Sequence, residues 1–159
     1  MNLKVRPWLA GIALASALFL AACGGGGGDT GGGAAAPANL NVSTAGEQLQ
    51  FAPGALSATA GQQVKVTFKN GSTAQKHNWV LVKGGDDVAQ KVDEAGAAVG
   101  EAKGYIPDDK ANIVSNTKLV NATETDSVSF TAPAAGTYTY LCTFPGHFIA
   151  GMKGTLTVK

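Results

Sequence analysis

The sequence predicts an all-β domain, an antiparallel sandwich or barrel with one short helix outside it. Several short runs alternate apolar and polar residues with a period of two, as half-buried strands do. Residues that favour turns (Gly, Pro and Asn) separate these runs. The pattern extends over residues 39–159, about 120 residues, which is a usual size for one domain.

The clearest predicted strand is Gln62–Lys69, in which Val64, Val66 and Phe68 share one face and polar side chains occupy the other. A continuous apolar run, His77–Val82, predicts a strand buried on both faces. The remaining strand-like runs lie around Leu40 and Val42, around Leu49 and Phe51, and at Ser127–Phe130, Gly136–Cys142 and Lys153–Lys159.

One segment departs from the strand pattern. Asp86–Val99 places Val88 and Val92 at helical spacing, with an aspartate at the expected N-cap and Gly100 beyond the end. This predicts a short helix packed outside the sandwich. The stretch that follows, Gly104–Asn121, has little periodicity and predicts a flap or irregular connection.

The first 22 residues predict an export signal. Lys4 and Arg6 form a charged start, and Trp8–Leu20 is an apolar stretch that is short for a membrane span. It ends in Leu-Ala-Ala-Cys23, which resembles the lipobox of bacterial lipoproteins and implies acylation of Cys23. The alternative is an ordinary signal peptide that leaves Cys23 as a free thiol. We expect a lipid-anchored protein on the periplasmic side of the cytoplasmic membrane.

Residues 23–38 then predict a flexible tether, because nearly all of them are Gly and Ala. A tether of this length has a typical reach of roughly 20 Å. Loss of the two basic residues in the signal takes the formal charge from +1 to −1. The sequence contains no run of basic residues that would indicate nucleic acid binding.

The residues with distinctive chemistry lie in Tyr140–Met152. Cys142, His147 and Met152 follow one another at intervals of five residues, and the chain's only other histidine is His77. Taken singly, a Cys or Met is more often a core residue. Together, two imidazoles, a thiolate and a thioether match the ligand set of a blue-copper electron-transfer site.

Other functions fit these residues less well. Cys142 and His147 could serve as nucleophile and base, but no oxyanion-hole motif or orienting carboxylate accompanies them, so we expect no enzyme. Copper oxidase chemistry needs more than the two histidines available. A structural zinc site would leave Met152 without a role. A periplasmic copper-binding or delivery protein remains the alternative to an electron carrier.

Two segments resemble the cupredoxins, the azurin-like blue-copper proteins. They are Cys142-Thr-Phe-Pro-Gly-His147 with Met152-Lys-Gly-Thr-Leu, and His77-Asn-Trp-Val-Leu81. The resemblance implies an eight-stranded Greek-key β-sandwich that binds one copper ion. It implies strong ligation by His77, Cys142 and His147, with Met152 axial. Asn78 would bond to the ligand loop, and the backbone N–H groups of Asn78 and Phe144 would point at the thiolate.

The same resemblance implies that His147 conducts single electrons to partners at the surface. Around it, Pro145, Phe148 and Ile149 predict an apolar docking face, although the loop could instead fold inward over the metal. The implied partners dock transiently and are a quinol-oxidising membrane complex and a c-type cytochrome attached to a photosynthetic reaction centre. We expect a monomer.

Overall fold

Nine strands form two sheets in residues 36–159, the part of the chain that the computed structural model describes. The predicted signal, Cys23 and most of the tether lie outside the described residues. The strands are β1 (Ala38–Ala45), β2 (Gln48–Ala52), β3 (Ala55–Ala58), β4 (Gln63–Lys69), β5 (Val80–Val82), β6 (Ile113–Asn116), β7 (Thr125–Thr131), β8 (Gly136–Leu141) and β9 (Lys153–Val158). One α-helix, α1 (Asp86–Val99), and one 3-10 helix, Glu101–Lys103, complete the set.

The first sheet has the strand order β2-β1-β4-β7, and its inner face carries the predicted apolar alternation. Val64, Val66 and Phe68 of β4 are all buried, while their neighbours in β4 are exposed or half-buried. β1 and β4 run parallel, so the sandwich is mixed and not wholly antiparallel. Prediction from alternation assigns the buried face of a strand correctly, but it does not determine which strand lies beside it.

The second sheet has the order β3-β9-β8-β5-β6. β5 and the end of β8 are covered on both faces, whereas β9 and β3 leave one face exposed to solvent. Inward, Trp79 and Tyr140 join the core between the sheets. Outward, Val80, Val82 and Leu141 join a second apolar cluster with residues of α1. This double burial explains why β5 is apolar throughout. The strand is shorter than predicted, because it covers only Val80–Val82 of the run His77–Val82.

The helix has the predicted bounds, but its predicted N-cap is wrong. The N-cap residue is Gly85, which makes no side-chain cap, and Asp86 is already helical. The Asp86 carboxylate instead accepts a hydrogen bond from the Thr139 hydroxyl at 3.0 Å and pairs with Lys153. These contacts attach the start of α1 to β8 and β9. Among residues 36–159, no helix is long and apolar enough to cross a membrane.

The strand count is nine where eight were expected. The sequence pattern misses β3, which pairs in parallel with β9. The segment Gly104–Asn121, predicted as an irregular connection, contains β6, which pairs with β5. His77 lies just before β5 and is held by an isolated bridge to Val120. These elements are short and depend on their partners for hydrogen bonds, so they have little periodicity of their own.

Candidate metal centre

Three of the predicted ligand side chains converge at one buried point. His77, Cys142 and His147 each offer one ligand atom, and these atoms all lie within 4.8 Å of one another. The Cys142 Sγ lies 3.8 Å from Nδ1 of His77 and 3.4 Å from Nδ1 of His147. The exposed fractions of the three residues are 1 %, 0 % and 6 % respectively, so water has little access to them.

Backbone hydrogen bonds fix the loop that carries Cys142, His147 and Met152. The Cys142 N–H donates to the Met152 carbonyl at 3.2 Å, and the Met152 N–H donates to the His147 carbonyl at 2.9 Å. The His147 N–H donates to the Phe144 carbonyl at 3.0 Å. Gly146 has a φ of 84°, a left-handed conformation that favours glycine and turns the chain back toward Cys142.

The donor set fits a copper ion. A thiol and two imidazole nitrogens converge, and the fully buried Met152 belongs to the same core cluster as Cys142. A soft thiolate, two imidazoles and a thioether suit copper in either oxidation state better than a hard cation. His77, Cys142, His147 and Met152 could therefore hold this ion.

Asn78 joins the two ligand segments. Its Oδ1 accepts a hydrogen bond from the Thr143 N–H at 2.8 Å, and its Nδ2 donates to the Thr143 Oγ1 at 2.8 Å. Its Nδ2 also donates to the Gly104 carbonyl at 3.0 Å. The sequence-implied contact between Asn78 and the ligand loop is thus present with Thr143 as its partner.

Glu47 supports the segment before His77 and was not singled out from the sequence. Its carboxylate accepts hydrogen bonds from the Ser72 hydroxyl at 2.6 Å and from the N–H and hydroxyl of Thr73 at 2.6 and 2.9 Å. The Ser72 Oγ in turn accepts from the N–H groups of Ala74 and Gln75. Nothing in the sequence distinguishes a glutamate with this structural role from one that is simply solvated at the surface.

Burial controls the protonation of the three convergent groups. It raises the pKa of the Cys142 thiol to about 12, although hydrogen bonds from the backbone N–H groups of Asn78 and Phe144 act in the opposite direction. Burial, and then the neighbouring His147, lower the pKa of His77 to about 4. Burial also lowers the pKa of His147. Without metal at neutral pH, both imidazoles are therefore neutral and the thiol keeps its proton.

The residues of the predicted docking face differ in exposure. Ile149 is 85 % exposed, and Pro145 is exposed as well. Phe148 is half-buried and packs against the outer apolar cluster, with the Lys153 ammonium 5.7 Å from its ring centroid. The loop therefore turns Phe148 partly inward, against the outer apolar cluster and not over the metal ligands, and presents Ile149 to solvent.

A buried carboxyl group on α1 was also missed by sequence analysis. Asp93 is only 7 % exposed, and its Oδ1 has no hydrogen-bond partner within the described part of the chain. Burial, with the nearby Glu94, raises the pKa of Asp93 to about 6. The helical pattern contains Asp93 on the same face as Ala89 and Gly96, but an acidic residue beside Glu94 is normally read as part of the solvated face.

Comparison with known proteins identifies close relatives of this chain. A family model described as copper binding proteins, plastocyanin/azurin family, matches residues 38–159. Auracyanin-A of Chloroflexus aurantiacus is 46 % identical over 163 residues, which cover 100 % of both chains. Its solved structure, titled a "blue" copper protein, has a TM-score of 0.74 at 47 % identity, covering 77 % of this chain and 99 % of that one.

A second solved structure extends the comparison. The dithionite-reduced auracyanin of the photosynthetic bacterium Roseiflexus castenholzii is 45 % identical with a TM-score of 0.74 and covers 76 % of this chain and 96 % of its own. These findings confirm the predicted cupredoxin-like fold and the resemblance to azurin-like blue-copper proteins.

The buried carboxyl of Asp93 predicts a pH-dependent stability. Because burial raises the pKa of Asp93 from its ordinary 3.8 to about 6 in the folded state, the folded state disfavours the ionised form. This group therefore costs stability as pH rises from about 4 to 6. We expect Asp93→Asn to increase the free energy of unfolding of the metal-free protein by about 2–3 kcal/mol above pH 7, and to have little effect below pH 4.

Chemical denaturation at several pH values measures this difference. Asp87→Asn, at an exposed position of the same helix, is the matched control and should change the unfolding free energy by no more than about 0.5 kcal/mol. A stability gain for Asp93→Asn that did not vary with pH would contradict the assignment.

Proposed function

Because the chain belongs to the plastocyanin/azurin family of copper-binding proteins, we propose that it is a type 1 (blue) copper protein that carries single electrons. The observation that carries this proposal is the convergence of His77, Cys142 and His147 at one buried point, with Met152 in the same core. In this proposal His77, Cys142 and His147 would be the strong ligands of the ion, and Met152 would be a weaker, axial one.

Copper held by this donor set supplies a one-electron couple between Cu(I) and Cu(II). The chain's own task is to keep the ligand atoms in one arrangement that both oxidation states accept. His77 is held by its bridge to Val120, and the ligand loop is held by the hydrogen bonds between Asn78 and Thr143. Small movement on electron transfer follows from this restraint and favours fast exchange.

Metal binding requires Cys142 to lose its proton. The pKa of its buried thiol is about 12, so the proton leaves only when a cation takes its place. The N–H groups of Asn78 and Phe144 stabilise the resulting sulfur charge. Both imidazoles are already neutral at pH 7, because burial lowers their pKa values, so their nitrogens are ready to bind.

Periplasmic copper delivery is the alternative function. A delivery protein needs ligands that exchange readily, whereas this donor set is almost fully buried and comes from segments 65 residues apart in sequence. Release would require the sandwich end to open. The burial favours retention of the metal, and therefore an electron carrier.

Copper bound by a thiolate should colour the protein. We expect the purified protein to take up one equivalent of Cu(II) and develop an intense visible absorption from thiolate-to-copper charge transfer, which a reductant abolishes and an oxidant restores. Absorption and electron paramagnetic resonance spectroscopy measure the spectrum and the copper stoichiometry. A protein that remained colourless with Cu(II) would contradict the proposal.

Two variants separate the roles of the sulfur ligands. Cys142→Ser removes the thiolate and should abolish the absorption while retaining the fold. Met152→Gln replaces a soft axial donor by an oxygen, so the colour should remain and the reduction potential should fall, because oxygen favours Cu(II). An unchanged or higher potential in Met152→Gln would argue against axial ligation by this residue.

Redox partners dock, in this proposal, at the apolar surface beside His147. Ile149 and Pro145 are exposed there, and the His147 ring lies just beneath the surface, with 6 % of the residue exposed. A small apolar face suits brief encounters with low affinity. By similarity to the auracyanins of photosynthetic bacteria, we propose a quinol-oxidising membrane complex as donor and a c-type cytochrome of a photosynthetic reaction centre as acceptor.

Charge at this surface should slow electron transfer. We expect Phe148→Asp and Ile149→Asp to lower the bimolecular rate with cytochrome c by about tenfold, because each places a charge on an apolar contact. Stopped-flow mixing measures the rate. Ala135→Asp is the matched control, since it adds the same charge in the exposed turn at the other end of β8. Equal rates for all three variants would contradict docking at this face.

The proposed location is the periplasmic side of the cytoplasmic membrane, with an acyl anchor on Cys23. Support comes from the lipobox-like Leu-Ala-Ala-Cys23 and the Gly/Ala-rich residues that follow it. In this arrangement residues 1–22 are removed, residues 23–38 form the tether, which ends at the first residue of β1, and residues 39–159 form the copper domain.

The anchor predicts a defined modification. We expect protein extracted from bacterial membranes to begin at an acylated Cys23, and Cys23→Ser to be released into the soluble fraction with an unchanged copper spectrum. Intact-mass spectrometry and membrane fractionation measure both properties. An unmodified N-terminus in the membrane-extracted protein would exclude lipidation.

A further inference from the structure

Tyr105 has a backbone conformation that a tyrosine rarely adopts. Its φ is 58°, in the left-handed region where a Cβ crowds the following carbonyl, and it directly follows Gly104 at φ 64°. Strain of this kind persists only where surrounding contacts hold it, and it is concentrated at functional sites. The residue lies in the connection between α1 and β6 and was not singled out from the sequence.

Contacts hold the Tyr105 backbone on several sides. Its N–H donates to the Gly100 carbonyl at 3.1 Å, and its carbonyl accepts the Thr143 hydroxyl at 2.8 Å. A Cβ on Gly96 would collide with this carbonyl, so α1 approaches it closely. Any residue that tolerates the left-handed region could supply this N–H and carbonyl. The backbone contacts therefore do not explain why the side chain is a tyrosine.

The Tyr105 ring begins a chain of aromatic contacts that ends at a ligand. Its centroid lies 5.2 Å from that of Phe144, with the rings at 69° in an edge-to-face arrangement. The Phe144 ring lies 4.6 Å from the His147 imidazole at an angle of 31°. The imidazole is also 4.8 Å from His77 at 38°. Phe144 thus contacts both the strained tyrosine and the ligand.

We propose that Tyr105 is a positioning residue for His147. Its ring limits the movement of Phe144, and Phe144 limits the rotation of the imidazole, so that the His147 Nδ1 keeps its position beside the Cys142 sulfur before metal binds and in both oxidation states. The proposal deepens the proposed function and rests on it only for the metal-bound readouts.

The variant Tyr105→Asn isolates the ring from the backbone. Asparagine tolerates the left-handed region better than most residues and keeps the N–H and carbonyl, but it removes the aromatic contact. Tyr105→Phe is the matched control, because it keeps the ring and removes only the hydroxyl. In NMR spectra of the metal-free protein, we expect Tyr105→Asn to shift and broaden the His147 ring-proton signals. Tyr105→Phe should leave them unchanged.

Metal affinity provides the second readout. Competition with a chelator measures Cu(I) affinity. We expect it to fall about two- to tenfold in Tyr105→Asn, because that variant loses one aromatic pair. In Tyr105→Phe it should stay at the wild-type level. The effect should disappear in a Phe144→Leu background, because Tyr105 acts through Phe144.

Four outcomes would overturn the proposal. The first is an unchanged set of His147 signals in Tyr105→Asn, and the second is a Tyr105→Phe variant that behaves like Tyr105→Asn. The third is an additive effect of Tyr105→Asn and Phe144→Leu on Cu(I) affinity. The fourth applies if Tyr105→Asn fails to fold, and is a wild-type set of His147 signals in Phe144→Leu alone. If the wild-type protein binds no copper, the proposed function fails, whereas the metal-free NMR comparison still decides the role of Tyr105.

Discussion

The two hydrogen bonds between Asn78 and Thr143 are the constraint on which the site depends. They join the residue after His77 to the residue after Cys142, across 65 positions of sequence. Both residues are fully buried, so removing one partner would leave polar groups without water or protein contacts, at a cost of about 1–3 kcal/mol. The Asn78 amide therefore brings the two ligand segments together when the core packs, because its polar groups are buried there and find their partners in Thr143.

Burial has a second consequence at the same place. Water is almost excluded from His77, Cys142 and His147, and their charged forms are disfavoured. A neutral donor set can be packed into an apolar core without metal, and the ligand atoms can be arranged in advance. The site therefore needs little rearrangement to receive a cation, and the same rigidity suits a protein that must change oxidation state without changing shape.

Helix α1 covers an apolar face of the second sheet, and the residues that follow it also support the metal centre. Gly104 and Tyr105, which follow α1 and the 3-10 helix, offer their carbonyls to Asn78 and Thr143. Gly96 of α1 lies against the Tyr105 carbonyl, where a larger residue would not fit. The outer layer and the ligand loop are thereby connected through hydrogen bonds, so disturbance of the helix should be felt at the metal centre.

The sequence by itself determined the features that depend on local pattern and scarce chemistry. Period-two alternation predicted β4 with its buried face, and helical spacing predicted α1 with its bounds. Two histidines, one distinctive cysteine and one methionine sufficed to predict a copper site, because few functions need that set. These signals require only residue type and spacing.

Only the tertiary structure decided the rest. β3 and β6 are short segments whose hydrogen bonds come from distant strands. Gly85 occupies the N-cap position of α1, while the Asp86 carboxylate bonds to Thr139 of the sheet. The burial of Asp93 is visible only in the folded chain, and the strained backbone of Tyr105 is held in part by Thr143, 38 residues further along. Such features depend on contacts between residues that are distant in sequence, and a short segment of sequence does not specify those contacts.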